Sequence, residues 1–451
     1  MIGKKEPAAP VSSRVLPELR ALRGLTADGR LLFATRIARL FAYGSLSVVL
    51  VLYLAQVGLS GAQIGLLLTL TLVGDTAISL WMTMTADRVG RRRMLLLGAG
   101  LMLLAGAAFA LTRDFLFLVI AATLGVISPS GNEVGPFLSI EQAALSQIVP
   151  DRQRTRVFAR YNLTGSFATA LGALSGGALA QALQGMGVSP LESYRLILIG
   201  YAAIGLLLGL MFGRLSIAVE VSSSRLPSPN RMSGRREALG GLQRSRGVVL
   251  RLSALFALDA FAGGFVIQSI VAFWFHVRFG AEPALLGSIF FGANILAGLS
   301  ALTAARLAER IGLIRTMVFT HIPSNILLML VPVMPTLPLA IGVLLLRFSI
   351  SQMDVPTRQS YTMAVVSPEE RSAAAGITSV ARTIGASLAP VLVGPLLTHP
   401  ARLSVPFFLA GGLKIAYDLG LYRSFRTVRP PEEQDFHLAP PVTAVEEAPE
   451  N

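Results

Sequence analysis

Cysteine is absent from all 451 residues, which excludes a disulfide framework, a thiolate metal site and a cysteine nucleophile together. Charge is scarce as well. Asp, Glu, Lys and Arg make up 14% of the chain, where a soluble protein of this length carries roughly a quarter. The four histidines, His276, His321, His399 and His437, stand singly and in no metal-ligand spacing, which reads as structural use rather than a metal site. There is no Walker loop, no nucleotide-binding fingerprint and no Ser–His–Asp grouping. ATP-driven and hydrolytic chemistry are therefore not expected, and no cofactor is called for. The first 30 residues hold no apolar core ahead of a small-residue cleavage site, so the first apolar span is expected to act as an uncleaved anchor.

What is abundant is apolar sequence. Hydrophobic residues are 53% of the chain and the mean hydropathy is +0.64. They fall in runs of about 18 or more, enough to cross a hydrocarbon core ~30 Å thick. The chain reads as an all-α, multi-pass membrane protein. Twelve spans are expected, at 31–56, 62–85, 93–112, 115–148, 157–184, 191–213, 248–276, 283–305, 314–334, 336–365, 370–398 and 403–424. They divide into an N-terminal bundle of six (31–213) and a C-terminal bundle of six (248–425). A linker rich in Ser, Arg, Pro and Gly (214–247) joins them, and tails at 1–30 and 426–451 flank them, the second Pro-rich, acidic and expected to be disordered. The fourth span is too long for one straight helix. Its run Ser128-Pro129-Ser130-Gly131-Asn132-Glu133-Val134-Gly135-Pro136 either breaks the helix at membrane depth or protrudes as an outer loop.

The formal charge of +14 is a matter of placement. On the twelve-span reading, 20 Arg fall in the five loops on the side of the termini, and four, Arg113, Arg195, Arg278 and Arg402, on the other. The positive-inside rule then puts both termini and the basic loops in the cytoplasm, where they also attract anionic lipid. No aromatic-basic patch or reader motif accompanies the charge, so nucleic acid is not an expected partner. Arg greatly outnumbers Lys, which points toward a bacterial source and hence an inner membrane.

A charged phrase occurs twice, 222 residues apart: Asp87-Arg88-Val89-Gly90-Arg91-Arg92-Arg93 and Glu309-Arg310-Ile311-Gly312-Leu313-Ile314-Arg315. Both read acid-Arg-aliphatic-Gly-x-x-Arg and both sit between long apolar stretches. Duplication of this kind marks repeat-built transporters. With Thr83 leading the first copy and Ala305 the second, the phrase resembles the Gly-x-x-x-Asp-Arg-x-Gly-Arg-(Arg/Lys) loop of the major facilitator superfamily, with a small residue replacing the leading Gly. The resemblance covers residues 31–425 and implies two six-helix bundles rocking about a central site. It also implies that Asp87, Arg88, Gly90, Arg91, Glu309, Arg310 and Gly312 form a cytoplasmic gate, topogenic charge alone being the other reading. The family's antiporter pattern in the fifth span is partly present as Gly172, Gly176 and Gly177, with Ala173 in place of Pro. A closer copy lies in the eleventh span as Gly376, Gly385, Ala389, Pro390 and Gly394. Close helix packing explains these small residues as well as export does.

Charged groups inside spans are costly and default to function. The tenth span carries Arg347, Asp354, Pro356 and Arg358. On a continuous helix Arg347 and Asp354 share a face and Arg358 can pair with Asp354. Asp354 is then a protonation or substrate carboxylate and Arg347 its counter-charge, or the three form a rigidifying network. Asp75 in the second span is a proton carrier or an Arg partner, and Asp259 in the seventh is comparable. Glu141 is a candidate coupling acid, with Glu133 at the outer mouth. Arg36 and Arg39 are expected to snorkel to the cytoplasm, the alternative being that they turn inward and attract an anionic substrate, and Arg382 is better placed for either role. Asn294, Gln268 and Tyr43 offer neutral hydrogen bonds.

These residues favour a monomeric secondary transporter moving a small organic solute by alternating access, with proton-coupled efflux as the leading direction and a proton or other ion, membrane lipid and the solute as partners. Uptake of a small organic anion and a non-transporting sensor on the same fold are the alternatives. A polytopic acyl or glycosyl transferase would need a catalytic His or acid pair at the headgroups, which the sequence does not supply.

Overall fold

The computed structural model describes residues 25–131, 136–220, 245–426 and 428; Glu133, most of the linker and nearly all of both tails lie outside them. The described residues are helical and contain no strand. Hydrocarbon offers no partner to a backbone N–H, so apolar sequence must satisfy its own hydrogen bonds locally. The first half consists of α1 (Ala27–Gln56), α2 (Gly61–Val89), α3 (Arg91–Leu111), α4 (Phe115–Leu124), α5 (Phe137–Ile148), α6 (Asp151–Gly185) and α7 (Pro190–Phe212). The second half consists of α8 (Arg246–Gly264), α9 (Gln268–Phe279), α10 (Pro283–Ile311), α11 (Leu313–Leu330), α12 (Leu337–Phe348), α13 (Asp354–Ala364), α14 (Arg371–Leu397) and α15 (Val405–Phe425). Nine helical segments among the described residues, with α8 and α9 taken as one, are long and apolar enough to cross a membrane.

Local chemistry sets the helix starts. Thr26 and Asp114 cap α1 and α4, Ser60 and Gln63 form a reciprocal capping box on α2, and Ser189 precedes Pro190 at the start of α7. The helices present bare apolar side chains outward: Leu104 is 66% exposed and Leu210 60%. Such a surface is stable only against lipid.

Three expected spans are broken, each for a readable reason. Between α4 and α5 lie Gly125, Pro129, Gly131 and Pro136, which no helix accommodates together. The described part of that break is inside the protein, with Ser128 fully buried and Val126 and Ile127 at 1% exposure. Its Pro129 carbonyl accepts from Ser269 N at 3.2 Å, and Gly131 presses on Ser47 of α1. Residues 126–131 therefore do not protrude as an outer loop. The second break, 265–267, follows the Gly263-Gly264 pair that ends α8, where helix propensity is lowest. The third spans 349–353, where Ser349 and Ser351 turn their hydroxyls back onto the carbonyls of Leu346 and Phe348. Pro356 falls in the first turn of α13, where its missing N–H costs little. The tenth span is thus not one helix, and the expected shared face of Arg347 and Asp354 does not exist.

Within the halves, α1 packs on α6 and α7, α3 on α7, α8 on α14 and α15, and α11 on α15. Besides lesser contacts of α1 with α9 and α10, two broad crossings join the halves, α2 with α14 and α6 with α10. Both crossings rest on missing side chains. A Cβ on Gly61 would lie 2.3 Å from Gly394 O, and one on Gly177 would lie 2.1 Å from Pro283 O. These contacts lie at the end of the molecule where α1 finishes and α2 begins, remote from the terminus end marked by Ala27 and Phe425. Toward the terminus end, Trp81 and Met84 of α2 are exposed.

Candidate functional site

Between the halves lies a cavity of about 500 Å³, a size suited to a small organic molecule. Its charged lining comes almost entirely from the second half: Asp259 from α8, Arg347 from α12, Asp354 and Arg358 from α13, Arg382 from α14 and Lys414 from α15. The helix breaks deliver several of these. The stop at 349–353 leaves Arg347 near the C-terminus of α12 and starts α13 on Asp354, each charge where the helix dipole favours it.

Asp259 is the hub. Its Oδ1 accepts from Lys414 Nζ at 2.5 Å, and its Oδ2 from Arg382 at 3.0 Å and Arg358 at 3.3 Å. Asp354 accepts from Arg358 at 2.8 Å, the intrahelical pair expected from the spacing. Behind Asp259 stands His321, whose Nε2 is 3.9 Å from Oδ1 and whose Nδ1 is 2.8 Å from Asp418 Oδ1. Asn325 donates to the other Asp418 oxygen at 3.1 Å. His321, expected to be an isolated structural residue, thus belongs to the cluster. The Arg347 side chain makes no hydrogen bond or ion pair among the described residues; its Nε is shielded from solvent and its guanidinium lies 4.9 Å from the Phe348 ring centroid.

Four cations therefore line the cavity against two carboxylates, and Asp418 behind His321 still leaves one positive charge uncompensated. Neutral hydrogen-bonding groups sit away from this cluster. Gln268 at the start of α9 donates to Ser47 at 2.7 Å, and Asn294 donates to Gln268 at 3.3 Å. Both amides line the cavity, whereas Tyr43 is buried away from it.

The first half holds a different ionic centre. Glu141 of α5 accepts both ends of the Arg39 guanidinium at 2.8 and 2.7 Å, with both side chains fully buried. Thr35 donates to Oε1 at 3.0 Å and Tyr161 to Oε2, which fills the acceptor sites of the carboxylate. Arg36 lies over the Tyr161 ring at 4.3 Å. Arg36 and Arg39 consequently do not snorkel; a buried carboxylate and an aromatic face hold them in the bundle. Neither Arg39 nor Glu141 lines the cavity, and α2 contributes Leu72 to it but not Asp75.

The duplicated charged loops both turn on glycines at positive φ, +113° at Gly90 and +87° at Gly312. Around the first, Arg91 pairs with Asp87 at 3.0 Å and donates to Gln147 at 2.8 Å. The Glu220 carboxylate takes the backbone N–H of Arg91 at 2.7 Å and of Arg92 at 3.1 Å, capping α3. These contacts join the first half to the start of the linker and do not reach the second half. Around the second loop, Glu309 and Arg310 are exposed.

Lys414 and Asp418 escaped the sequence reading. Their signal was present: an acid and a base one helical turn apart in an apolar span, the base being the only lysine after residue 5.

The family model of the Major Facilitator Superfamily matches residues 32–390 and 252–444. An uncharacterized membrane protein of Saccharomyces cerevisiae, YJR124C, is 30% identical over 415 residues, 87% of this chain and 92% of its own. Among solved structures, the nucleoside transporter NupG superposes with a TM-score of 0.69 at 15% identity, over 89% of this chain and 100% of its own. An inward-facing, unoccupied bacterial homologue of the lysosomal transporter Spinster superposes at 0.65 with 18% identity, over 88% of this chain and 94% of its own. Paired charged loops, helices fit to cross a membrane and a family match running through both halves lead to one assignment: the chain belongs to the Major Facilitator Superfamily.

Proposed function

We propose that this protein is a secondary transporter for a small organic anion, which it binds in the second half of the cavity. The observation that carries this reading is the excess of cations there, and above all Arg347, a cation without a carboxylate partner among the described residues at the cavity wall. A half-buried cation with no carboxylate in contact is poorly compensated, and an anionic solute supplies that contact. Gln268 and Asn294 suit polar groups elsewhere on the solute.

In this reading the chain crosses the membrane twelve times, as two bundles of six (31–213 and 248–425) joined by a cytoplasmic linker. The α4–α5, α8–α9 and α12–α13 pairs then each count as one broken span. The Arg-rich loops and both termini lie in the cytoplasm. The loop around Gly90 holds one end of the first bundle together while the bundles rock. Gly172, Gly176 and Gly385 meet neighbouring helix backbones within 3 Å of where a Cβ would stand, so packing accounts for them and they carry no argument for export.

The test is a melting-curve panel on the purified protein with acetate, benzoate, succinate, neutral sugars, nucleosides and lipophilic cations. A ligand at about 100 times its dissociation constant adds roughly 2.7 kcal/mol. Stabilisation by organic anions that disappears in Arg347→Ala is the expected result. Stabilisation by cations or sugars alone, unchanged in Arg347→Ala, would sink the anion reading.

A further inference from the structure

Resting on the anion reading, we propose that Asp259 is a resident counter-ion occupying the solute's place, and that a proton on Asp259 admits the anion, so that proton and anion cross together. The geometry separates its three cationic partners into two kinds. Arg358 also holds Asp354, so it keeps a carboxylate if Asp259 is neutralised. Lys414 and Arg382 have Asp259 as their one carboxylate among the described residues, and both line the cavity. Neutralising Asp259 therefore frees two cations beside the solute and leaves the third paired.

The choice of residue fits this role. After position 5 the chain uses Lys once, at the shortest contact to Asp259, and Arg everywhere else that it places a Lys or Arg. An ammonium on a flexible stem can swing between two carboxylates more readily than a planar guanidinium fork. Arg382 is the most open member of the cluster, its side chain 31% exposed.

The charged groups that face Asp259 are Lys414 from α15, Arg382 from α14, Arg358 from α13 and His321 from α11, with Asp418 behind the imidazole. Arg347 and Asp354 line the same cavity. In the step itself, a proton adds to the Asp259 carboxylate, its ion pairs to Lys414 and Arg382 break, and a solute carboxylate takes both cations. For a monoanion the charge of the site is unchanged. Protonated Asp259 without the anion leaves Lys414 and Arg382 without a carboxylate, and the anion with ionised Asp259 crowds two carboxylates together. Both half-loaded states are disfavoured by the same electrostatics, which makes the transport coupled and electroneutral.

The chain's lysine usage gives a clean reporter. Lysine-selective carbon-13 labelling yields signals from Lys4, Lys5 and Lys414 alone, and Lys414→Arg assigns the third. With benzoate, acetate and succinate as probes, the Lys414 signal is expected to move, with affinity falling about tenfold per pH unit wherever Asp259 is ionised, since one proton is taken up with each anion. Asp259→Asn should hold its low-pH affinity throughout. Anions that move Lys414 with equal affinity between about pH 5 and about pH 8 in the unmodified protein would overturn the coupling and leave the anion site standing. No movement with any anion at any pH would remove both. If Asp259→Asn fails to fold, the pH slope of the unmodified protein decides alone.

Discussion

The two halves place opposite charges at corresponding points and use them differently. Arg39 is the thirteenth residue of α1 and Asp259 the fourteenth of α8, the first helix of each half. Glu141 is the fifth residue of α5 and Arg358 the fifth of α13, the helices that follow the breaks at 125–136 and 349–353. In the first half the pair is Arg to Glu, one to one, sealed by Thr35 and Tyr161 and away from the cavity. In the second half the polarity is reversed, three cations converge on one carboxylate, and the cluster faces the cavity. A fully satisfied buried pair fixes geometry and has no capacity for a ligand. A cluster with surplus cations is a worse structural element and a better anion receptor. The same positions in a duplicated fold thus divide into a rivet and a site.

The comparison can be broken most directly at Arg39. Arg39→Ala strands a fully buried Glu141 and is expected to cost about 3–5 kcal/mol, read from urea unfolding in detergent. Arg347→Ala removes a cation with no ion-pair partner and should change stability by less than about 1 kcal/mol, or raise it. Equal costs for the two would end the distinction between rivet and site. A smaller effect is expected at the crossings between halves: Gly177→Ala and Gly394→Ala each force a methyl group into facing backbone and should cost about 1–3 kcal/mol. Because the chain has no cysteine, thiol labelling of an introduced Ala284→Cys beside Gln181 would report the halves parting there.

The two charged loops make a milder contrast. Glu220→Gln weakens the cap on α3 and should lower stability by about 1 kcal/mol. Glu309→Gln alters an exposed residue and should stay within about 0.5 kcal/mol. If the second substitution proves the more damaging, the two loops have the opposite division of labour from the one described.

Much of the fold was legible because hydropathy is local. The runs that form α1, α2, α3, α6, α7 and α10 are long and uninterrupted, and the Pro–Gly cluster after Leu124 marked a break by itself. Whether that cluster lay in the protein or outside it was not legible. Its place depends on Ser47, Thr169 and Ser269, residues from three other helices. The tenth span misled for a related reason: Arg347 and Asp354 are spaced for one helix face, yet a break carrying two serines, Ser349 and Ser351, parts them. At Arg36 and Arg39 the rule that a basic residue near a helix end reaches for water lost to a carboxylate 102 residues away from Arg39.

The sequence by itself determined that this chain spans a membrane repeatedly, carries a duplicated charged loop and belongs to a transporter superfamily. The first two rest on composition and spacing along the chain, the third on the likeness of its sequence to the family's. Apart from the Asp354–Arg358 pair, readable from its spacing, only the tertiary structure decided which charges meet. Asp259 and Lys414 are 155 residues apart and carry no local mark of one another. Their contact follows from the way α8, α14 and α15 pack, which is set by apolar and small-residue surfaces. Ion pairs are short-ranged and hydropathy is additive along the chain, so sequence reveals where a charge is costly while packing alone reveals what answers it.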